Sequence, residues 1–360
     1  MSDFSPQSDN INSPWPEAGI ETVSHCPVCG SKDSTLLHTG ITDRIFYCAP
    51  GSWNLVRCSK CESAYLNPRP KPETIHLAYQ KYYTHKTKEK SAKITLGLGR
   101  RIMELSSFAY CNSRFGTALL PAGKFGALVM RLIPGKRKAL DQQFRHLPRS
   151  KPDGRLLDIG FGDGKFLDLA KKAGWSVSGC DTDPVTIASA REKGLDVRQG
   201  GIEAFKDLSE SFDVITLSHV IEHVHSPKEV SQEIFRLLKP GGQVWMETPN
   251  IQSYGHEQFA KDWRGLEPPR HLVLFNWNSL EAMLKEVGFS HIEKLPRYDV
   301  YARLAVKSRA IARGQDPYEK QKTERFDDVK SLFFNLKTRL HPNKSEFITL
   351  IAHKPKSTLN

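Results

Sequence analysis

The sequence predicts an α/β fold in which a doubly wound, mostly parallel sheet follows a smaller N-terminal domain. Three observations carry this prediction. Residues 151–360 alternate between strand-like apolar runs and helix-like segments, a pattern typical of a parallel sheet with helices on both faces. Residues 22–68 contain paired cysteines, and residues 69–150 are basic. A chain of 360 residues has room for one large domain and a small one.

Seven strands are predicted in the C-terminal domain, separated by helices at 164–173, 184–193, 227–238 and 277–287. The strands are the runs RLLDIG, SVSGCD, LDVRQG, FDVITLS, GQVWMETPN, SHIEKL and EFITLIAHKP. A mostly helical insertion, about 297–343, separates the last two strands. The stretch RSKPDG before the first strand is a linker.

The N-terminal residues 1–21 are polar and Pro-rich, without a basic start followed by an apolar run. They predict a disordered lead-in and no secretory signal. No apolar run approaches the 18 residues of a membrane span. We therefore expect a cytoplasmic protein, where cysteines stay reduced and pairs of them indicate metal binding.

Four cysteines form two C-x2-C pairs, Cys26 with Cys29 and Cys58 with Cys61. Two such pairs complete a tetrahedral thiolate site, which is the closed geometry of structural zinc. Residues 22–68 are therefore predicted to form a zinc-ribbon-like domain with a long hairpin between the pairs. Because protein ligands fill all four positions, this zinc would stabilise the fold and do no chemistry.

The basic charge is concentrated in one segment. The chain carries a formal net charge of +12, and residues 86–151 contain fifteen Lys or Arg against three Asp or Glu. This excess favours an anionic partner. The interleaved apolar and basic residues leave three alternatives open: a helical cap on the main domain, a face that lies on anionic lipid, or a nucleic-acid contact.

The stretch LLDIGFGDG, residues 156–164, ends the first strand with Asp158 and a glycine-rich turn. Its G-x-G-x-G spacing differs from the G-x-G-x-x-G of dinucleotide sites, and a carboxylate at Asp158 would repel a pyrophosphate. The carboxylate suits a cationic nucleoside such as S-adenosylmethionine. Asp181 follows Gly160 by 21 residues, the place expected for an acid that binds ribose hydroxyls.

Residues about 153–296 resemble class I S-adenosylmethionine-dependent methyltransferases, close to the ubiquinone-biosynthesis O-methyltransferase type. The matching stretches are LLDIGFGDGKFL, VSGCDTDP, FDVITLSHVIEHVHSP, EIFRLLKPGGQVWMETPN and LKEVGF. The cysteine pairs, NPRP and GLEPPRHLVLF also resemble a bacterial branch with an N-terminal zinc-binding domain, linked to sugar and surface-glycan biosynthesis. The resemblance implies a Rossmann-like fold.

The resemblance also implies the residues that hold the cofactor. The methionine part would be lined by the loop of the first strand, the ribose by the end of the second strand, the adenine by the end of the third, and the pocket would close at the fourth. In that order these residues are Asp158, Gly160, Phe161 and Gly162, then Asp181 and Thr182, then Gly201 and Ile202, then Ser218 and His219.

The loop after the fifth strand would bind the acceptor. His271, with His256 as the second choice, is the candidate general base, since a neutral imidazole accepts a proton near pH 7; the alternative for His271 is a structural role. Arg270 is a candidate for binding an anionic group. Tyr254 and Trp263 are candidates for walls of the acceptor pocket, with a core role equally open for Trp263.

The stretch HVIEH matches a zinc-peptidase signature, but the methyltransferase pattern also explains it. The resemblance leaves open a divalent metal near Glu222 and His223. The predicted activity is methyl transfer to a small-molecule or glycan acceptor, an anionic sugar derivative, at the inner face of the membrane. The alternatives are an RNA methyltransferase, a quinone-type O-methyltransferase and an NAD-linked protein of the same fold.

Overall fold

A computed structural model describes residues 14–79, 98–123, 125–295, 297, 300–319 and 325–356, with only the backbone of 325–332. The chain forms two compact units, each built from separate stretches of sequence. The first unit comprises Met1–Thr84, His219–Gln232 and Met246–Ala352, and the second comprises His85–Ser218, Glu233–Trp245 and His353–Asn360.

The strands in the described part are β1 (Ile20–Glu21), β2 (Ser34–Ile41), β3 (Trp53–Cys58), β4 (Ala64–Leu66), β5 (Arg69–Pro70), β6 (Arg155–Ile159), β7 (Ser176–Asp181), β8 (Asp196–Gln199), β9 (Phe212–Ser218), β10 (Leu238–Pro249), β11 (Val273–Leu274), β12 (Ser290–Lys294) and β13 (Phe347–His353). The α-helices are α1 (Leu98–Phe115), α2 (Gly126–Arg131), α3 (Pro134–Gln143), α4 (Lys165–Lys172), α5 (Pro184–Glu192), α6 (Pro227–Leu237), α7 (Tyr254–Phe259), α8 (Trp277–Val287), α9 (Tyr301–Ala312) and α10 (Arg325–Leu340). Short 3-10 helices span Glu17–Gly19, Ile75–Tyr79, Ile202–Phe205, Ile221–His223, Ala260–Asp262 and Pro342–Lys344.

The seven predicted strands of the C-terminal domain form one sheet, in the order β12-β13-β10-β9-β6-β7-β8. The pairs β6–β7, β6–β9 and β7–β8 are parallel. The chain moves outward from β6 to β7 and β8, then returns to place β9 on the other side of β6. This reversal is the topological switch point at which α/β sheets bind ligands. The predicted Rossmann-like fold class is confirmed.

The central strands read as nearly continuous apolar runs because both faces of a parallel sheet are covered by helices. Leu156 and Leu157 in β6 are fully buried, and so are Ile215 and Leu217 in β9. The buried polar residue of β6 is Asp158, which is fully buried. A buried carboxylate costs free energy unless it is paired, so Asp158 requires partners within the fold.

The helices of the basic segment contribute to the hydrophobic core of the second unit. Phe115 at the end of α1 stacks on Phe144, just after α3, with ring centroids 4.3 Å apart. Both rings are buried in the core cluster that also includes Trp175 and Leu167. At least this face of the segment therefore acts as a helical cap.

A four-stranded sheet in the first unit has the order β11-β4-β3-β2. Its β11 comes from the predicted acceptor loop, more than 200 residues after β4. Of the predicted lead-in, residues 1–13 lie outside the described residues, whereas 14–21 are ordered. Trp15 is buried and packs edge-on against Trp53 at 5.3 Å. Among the described helices, none combines the length and apolarity needed to cross a membrane.

Candidate active site and metal sites

The glycine-rich turn after β6 has the backbone that its sequence requires. Gly160, Gly162 and Gly164 have φ values of 65°, 58° and 75°, a left-handed region that glycine enters without steric cost. The turn is tied to the neighbouring strand, because the N–H of Gly160 donates to the carbonyl of Cys180 at 2.8 Å. Phe161 between the glycines is buried. The turn therefore presents backbone at the switch point.

Asp181, the last residue of β7, is held by backbone donors. One carboxylate oxygen accepts from the N–H of Gly162 at 3.0 Å, and the other accepts from the N–H of Asp183 at 3.0 Å. The first of these bonds joins the glycine turn to the end of the second strand. Thr182 lies between the two acids and is exposed. The loop and the candidate ribose acid thus form one preorganised element.

The loop after β8 places the next two predicted residues. The N–H of Gly201 donates to Glu203 at 2.7 Å, and the side chain of Ile202 is buried at the start of its 3-10 helix. Ser218 ends β9 and is half-buried. These positions lie after the third and fourth strands in sequence, as the resemblance requires.

Asp158 is paired in a way that the sequence did not predict. Its Oδ1 accepts from the hydroxyl of Thr216 at 2.8 Å and from the guanidinium of Arg145. Arg145 also donates to Thr216 at 2.9 Å and lies over the ring of Phe166 at 3.8 Å. The other oxygen of Asp158, Oδ2, has no partner among the described residues. No local pattern in the sequence links Arg145 to this carboxylate.

Burial raises the pKa of Asp158, and Arg145 opposes that shift. The guanidinium therefore supplies the positive charge that we had expected only from a ligand. Asp158 is thus paired with Arg145 and Thr216 through Oδ1, while its Oδ2 has no donor among the described residues.

His219 begins the part of the chain that returns to the first unit. Its Nδ1 lies 3.3 Å from Glu222 and its Nε2 lies 3.6 Å from Glu247. Burial lowers the pKa of His219, but the contacts with Glu222 and Glu247 outweigh it and raise the pKa to about 10. Arg297 contacts Glu247 at 3.2 Å. His219 is thus an imidazolium between two carboxylates.

A second group of side chains in the first unit, which we call the histidine–glutamate cluster, consists of Glu222, His223 and His271. One donor atom from each lies within 4.8 Å of the others. The two imidazole centroids are 4.7 Å apart, and Glu222 is fully buried. The third member comes from the acceptor loop, so sequence spacing alone could not have assembled this cluster.

Backbone carbonyls fix the tautomer of both histidines. The Nδ1 of His223 lies 3.0 Å from the carbonyl of Arg270, and the Nδ1 of His271 lies 2.8 Å from that of Gly265. Because a carbonyl only accepts, each Nδ1 carries a proton, and Nε2 is the ring nitrogen left to bind another group. The hydroxyl of Tyr79 lies 3.1 Å from Nδ1 of His223.

The ionisation of these side chains favours the binding of a cation or a proton by the cluster. Burial lowers the pKa of His271 to about 4, so its imidazole is neutral at pH 7. Burial tends to raise the pKa of Glu222, but the neighbouring histidines lower it overall. A carboxylate with two imidazoles is a donor set for a divalent transition metal. Carbonyl partners on Nδ1 are the outer contacts that orient such ligands.

Arg270 points into the protein rather than toward an acceptor. Its side chain is fully buried, and its guanidinium binds both carboxylate oxygens of Asp43, at 2.6 and 3.1 Å. It also donates to Glu267 at 3.1 Å and to the carbonyl of Ala78 at 3.0 Å. Burial opposes the charged form, but Asp43 and Glu267 outweigh it and raise the pKa of Arg270. These protein partners engage the guanidinium.

The other candidate residues of the acceptor loop are His256, Trp263 and Tyr254, which all belong to the first unit. His256 is buried, and its Nε2 lies 2.9 Å from the Nε2 of His38. Trp263 is buried beside it, with ring centroids 5.5 Å apart, and its indole N–H donates to Glu346 at 3.0 Å. Tyr254 packs against Phe334, with centroids 5.8 Å apart. His256 and Trp263 thus have structural partners.

The four cysteines of the predicted zinc site come together, and we call them the thiol quartet. The Sγ atoms of Cys26 and Cys61 are 3.6 Å apart, as are those of Cys29 and Cys58. All four sulfurs lie within 4.8 Å of one another. The contact with Cys26 lowers the pKa of Cys61, whereas the contact with Cys61 raises the pKa of Cys26 and burial raises that of Cys29. Cys61 is therefore the member of the quartet that ionises most readily.

The two cysteine turns have the same backbone. The N–H of Cys26 donates to Ser31 and that of Cys58 donates to Ser63, five residues on in each case. Four residues after each of these cysteines, Gly30 and Glu62 adopt positive φ values of 71° and 59°. Two equivalent turns that aim four thiols at one point fit a tetrahedral zinc ion.

Residues 135–294 match the family model described as "Methyltransferase domain". This match supports the predicted class I S-adenosylmethionine-dependent methyltransferase domain over that stretch of the chain.

Among curated proteins, the chain is 37% identical over 103 residues to the ubiquinone biosynthesis O-methyltransferase of Pseudomonas entomophila, covering 27% of this chain and 44% of that protein. It is 29% identical over 187 residues to that of Brucella anthropi, covering 49% and 75%. The chain thus spans less than half the length of the first of these relatives.

Two solved structures are also similar. A methyltransferase from Archaeoglobus fulgidus is 23% identical, with a TM-score of 0.43, over 61% of this chain and 94% of that one. Phosphoethanolamine N-methyltransferase 2 from Haemonchus contortus, solved with S-adenosyl-L-methionine, is 17% identical, with a TM-score of 0.45, over 81% and 63%.

Proposed function

We propose that the protein transfers a methyl group from S-adenosylmethionine to a hydroxyl or carbon of a small-molecule acceptor. The observation that carries this proposal is the bond between Gly162 and Asp181. It fixes a left-handed glycine turn against a ribose-binding acid at the switch point of the sheet. The family match over residues 135–294 supports the same activity.

The cofactor roles follow the strand ends. Gly160, Phe161 and Gly162 would approach the methionine part through the backbone, and Asp181 would accept hydrogen bonds from the ribose hydroxyls, with Thr182 beside it. The loop at Gly201 and Ile202 would flank the adenine, and Ser218 and His219 would follow the fourth strand. For Asp158 we propose a supporting role through Arg145 and Thr216.

The histidine–glutamate cluster is the proposed acceptor-activating group. Nε2 of His271 has the lone pair and the neutral charge state needed to accept a hydroxyl proton. A divalent metal held by Glu222, His223 and His271 would lower the pKa of a bound hydroxyl. Alignment supplies much of the rate in either case, since the sulfonium is already activated. His256 and Arg270 are not part of this proposal, because protein groups engage them.

For the acceptor we propose a sugar hydroxyl or carbon, in a nucleotide-linked or polyprenyl-linked glycan. The support is the resemblance of the cysteine pairs and of GLEPPRHLVLF to the glycan branch, together with the basic excess in 86–151. A quinone-type phenol is the second candidate, which the similarity to ubiquinone biosynthesis O-methyltransferases favours. We propose a structural zinc ion in the thiol quartet.

Calorimetry and a transfer assay test these proposals. We expect the purified protein to bind S-adenosylmethionine and not NAD, and to pass a labelled methyl group to one of the offered acceptors. The panel contains nucleotide sugars, polyprenyl-diphosphate sugars, dihydroxyphenols and RNA. Binding of NAD alone would overturn the cofactor assignment. Labelling of RNA alone would overturn the small-molecule assignment, and labelling of the phenol alone would replace the sugar by the second candidate.

A further inference from the structure

Two stretches of eight residues share the pattern F-x-x-L-x-x-R-L. They are FGALVMRL, residues 125–132, and FFNLKTRL, residues 333–340. The first covers α2 and its two caps in the second unit, and the second is the C-terminal half of α10 in the first unit. Neither belongs to the cofactor loops, the histidine–glutamate cluster or the thiol quartet.

The three apolar residues of each pattern are exposed. In a helix the first, fourth and eighth positions lie on one face, because each turn takes 3.6 residues. Every one of the six side chains is more than half exposed, from 55% for Phe333 to 82% for Leu132. We call these faces the α2 stripe and the α10 stripe. The α2 stripe is Phe125, Leu128 and Leu132, and the α10 stripe is Phe333, Leu336 and Leu340.

Packing on the opposite face fixes the outward direction of the α2 stripe. The second and sixth positions of the pattern, Gly126 and Met130, are buried. A Cβ atom on Gly126 would lie 2.6 Å from the Cα of Ser106, so α2 packs closely on α1. With this face fixed to the fold, the α2 stripe stays exposed in the described part of the protein.

The α10 stripe is fixed in the same way. At the second position, Phe334 stacks on Tyr301 of α9 with ring centroids 4.2 Å apart. At the sixth position, Thr338 is buried and its hydroxyl donates to the carbonyl of Phe334 at 2.8 Å. The sixth position is buried in both helices, the second position is buried in α2 and half-buried in α10, and the three stripe positions are exposed in both.

Both stripes lie in stretches of sequence with more Lys and Arg than Asp and Glu. Residues 119–138 contain five Lys or Arg and no Asp or Glu, and residues 325–346 contain five against three. Arg131 and Arg339 occupy the seventh position of the two patterns and are exposed. Apolar residues bordered by cations are the composition of helices that lie in the interface of an anionic bilayer.

We propose that the α2 and α10 stripes are interfacial anchors that dock the protein on an anionic lipid surface. The Phe and Leu side chains enter the boundary between headgroups and acyl chains, and the flanking basic residues meet the lipid charge. The helices lie on the membrane, since no described helix can span it. Each stripe is short and contributes modest affinity, and a second anchor multiplies the first where both can engage.

Vesicle flotation of the full-length protein tests this, without S-adenosylmethionine. The vesicles are phosphatidylcholine, alone or mixed with phosphatidylglycerol. We expect flotation with the mixed vesicles only, weakened by salt. The paired variants F125S/L128S and F333S/L336S should each reduce partitioning about tenfold, and the four-fold variant more. The matched control is V185S, which removes an exposed apolar side chain of α5 outside both stripes.

The outcomes separate this inference from the proposed function. Flotation that the variants do not change, or no flotation of the wild type, overturns the anchors. Sedimentation measures the oligomeric state, and a wild-type dimer that the variants dissociate would show that a second copy covers the stripes, which also overturns them. Calorimetry with S-adenosylmethionine on the same proteins shows whether the variants are folded. If the wild type does not bind S-adenosylmethionine, the methyltransferase proposal is overturned and the anchor proposal is not.

Discussion

The thiol quartet and the histidine–glutamate cluster are both candidate metal sites of the first unit, yet they are built differently. The quartet supplies four equivalent donors from two turns of the same backbone. The cluster supplies one carboxylate and two imidazoles. Four protein ligands close a tetrahedral ion, which is the arrangement of structural sites. Three leave a position for water or substrate, which is the arrangement of catalytic sites.

The number of protein donors therefore distinguishes a metal site that stabilises the fold from one that can take part in a reaction. Closed sites couple metal binding to folding, whereas the folding of an open site rests on its surroundings. In the cluster those surroundings are backbone carbonyls on both histidines, the hydroxyl of Thr248, which donates to Glu222 at 2.9 Å, and the imidazolium of His219, which lies 3.3 Å from the same carboxylate. Two variants with matched controls test this difference between the sites, and two further predictions concern buried ionisable groups outside them.

The largest effect is expected at the thiol quartet. The double variant C26S/C58S should lose the metal and lower the midpoint of thermal unfolding by about 10 °C or more, because a structural zinc site contributes its binding energy to folding. Metal analysis and calorimetry measure both. The control C48A removes a buried cysteine outside the quartet and should keep one zinc per chain. A metal-free wild type of undiminished stability would contradict the assignment.

The cluster should behave in the opposite way. H271Q should lower the rate of methyl transfer by about 10²–10⁴-fold, the usual contribution of a proton-accepting group, while leaving the unfolding midpoint and the affinity for S-adenosylmethionine nearly unchanged. The exposed His76 gives the matched control H76Q. If H271Q unfolds the protein and H76Q does not, the cluster is structural and resembles the quartet.

The features that the sequence predicts correctly are local in the chain. The cysteine pairs, the glycine turn and the strand–helix alternation each occupy a few consecutive residues whose spacing fixes their geometry. It assembled the cluster only in part, because His271 meets Glu222 through folding and not through spacing. It also placed Arg270 with the acceptor, whereas Asp43, 227 residues away, binds that guanidinium. The residues next to an arginine in a loop do not indicate which distant carboxylate will bind it.

The contact between Asp158 and Arg145 is a second interaction that sequence spacing does not predict. D158A should cost about 3–5 kcal/mol of folding free energy, because it leaves a nearly buried guanidinium without its carboxylate. The double variant D158A/R145M should recover much of this loss. Urea denaturation of the single and double variants measures the coupling. Equal losses in both would mean that the two side chains are not energetically paired.

A pH titration adds a buried histidine that belongs to neither site. Burial lowers the pKa of His256 to about 4, and the charge of His38 acts in the same direction. Since the unfolded chain binds its proton near the ordinary pKa of 6.5, it holds more protons than the folded protein between pH 6.5 and 4. Stability that is present above pH 6.5 is therefore lost as the pH falls through that range, by about 3 kcal/mol in total for this group.

Release of zinc at acid pH affects the wild type and H256Q alike, so the difference between their unfolding free energies isolates His256. We expect that difference to change by this amount between pH 6.5 and 4 and to stay constant above pH 7. A difference that is constant over the whole range would mean that His256 takes up its proton without loss in the folded state, and that the contact with His38 does not hold it neutral.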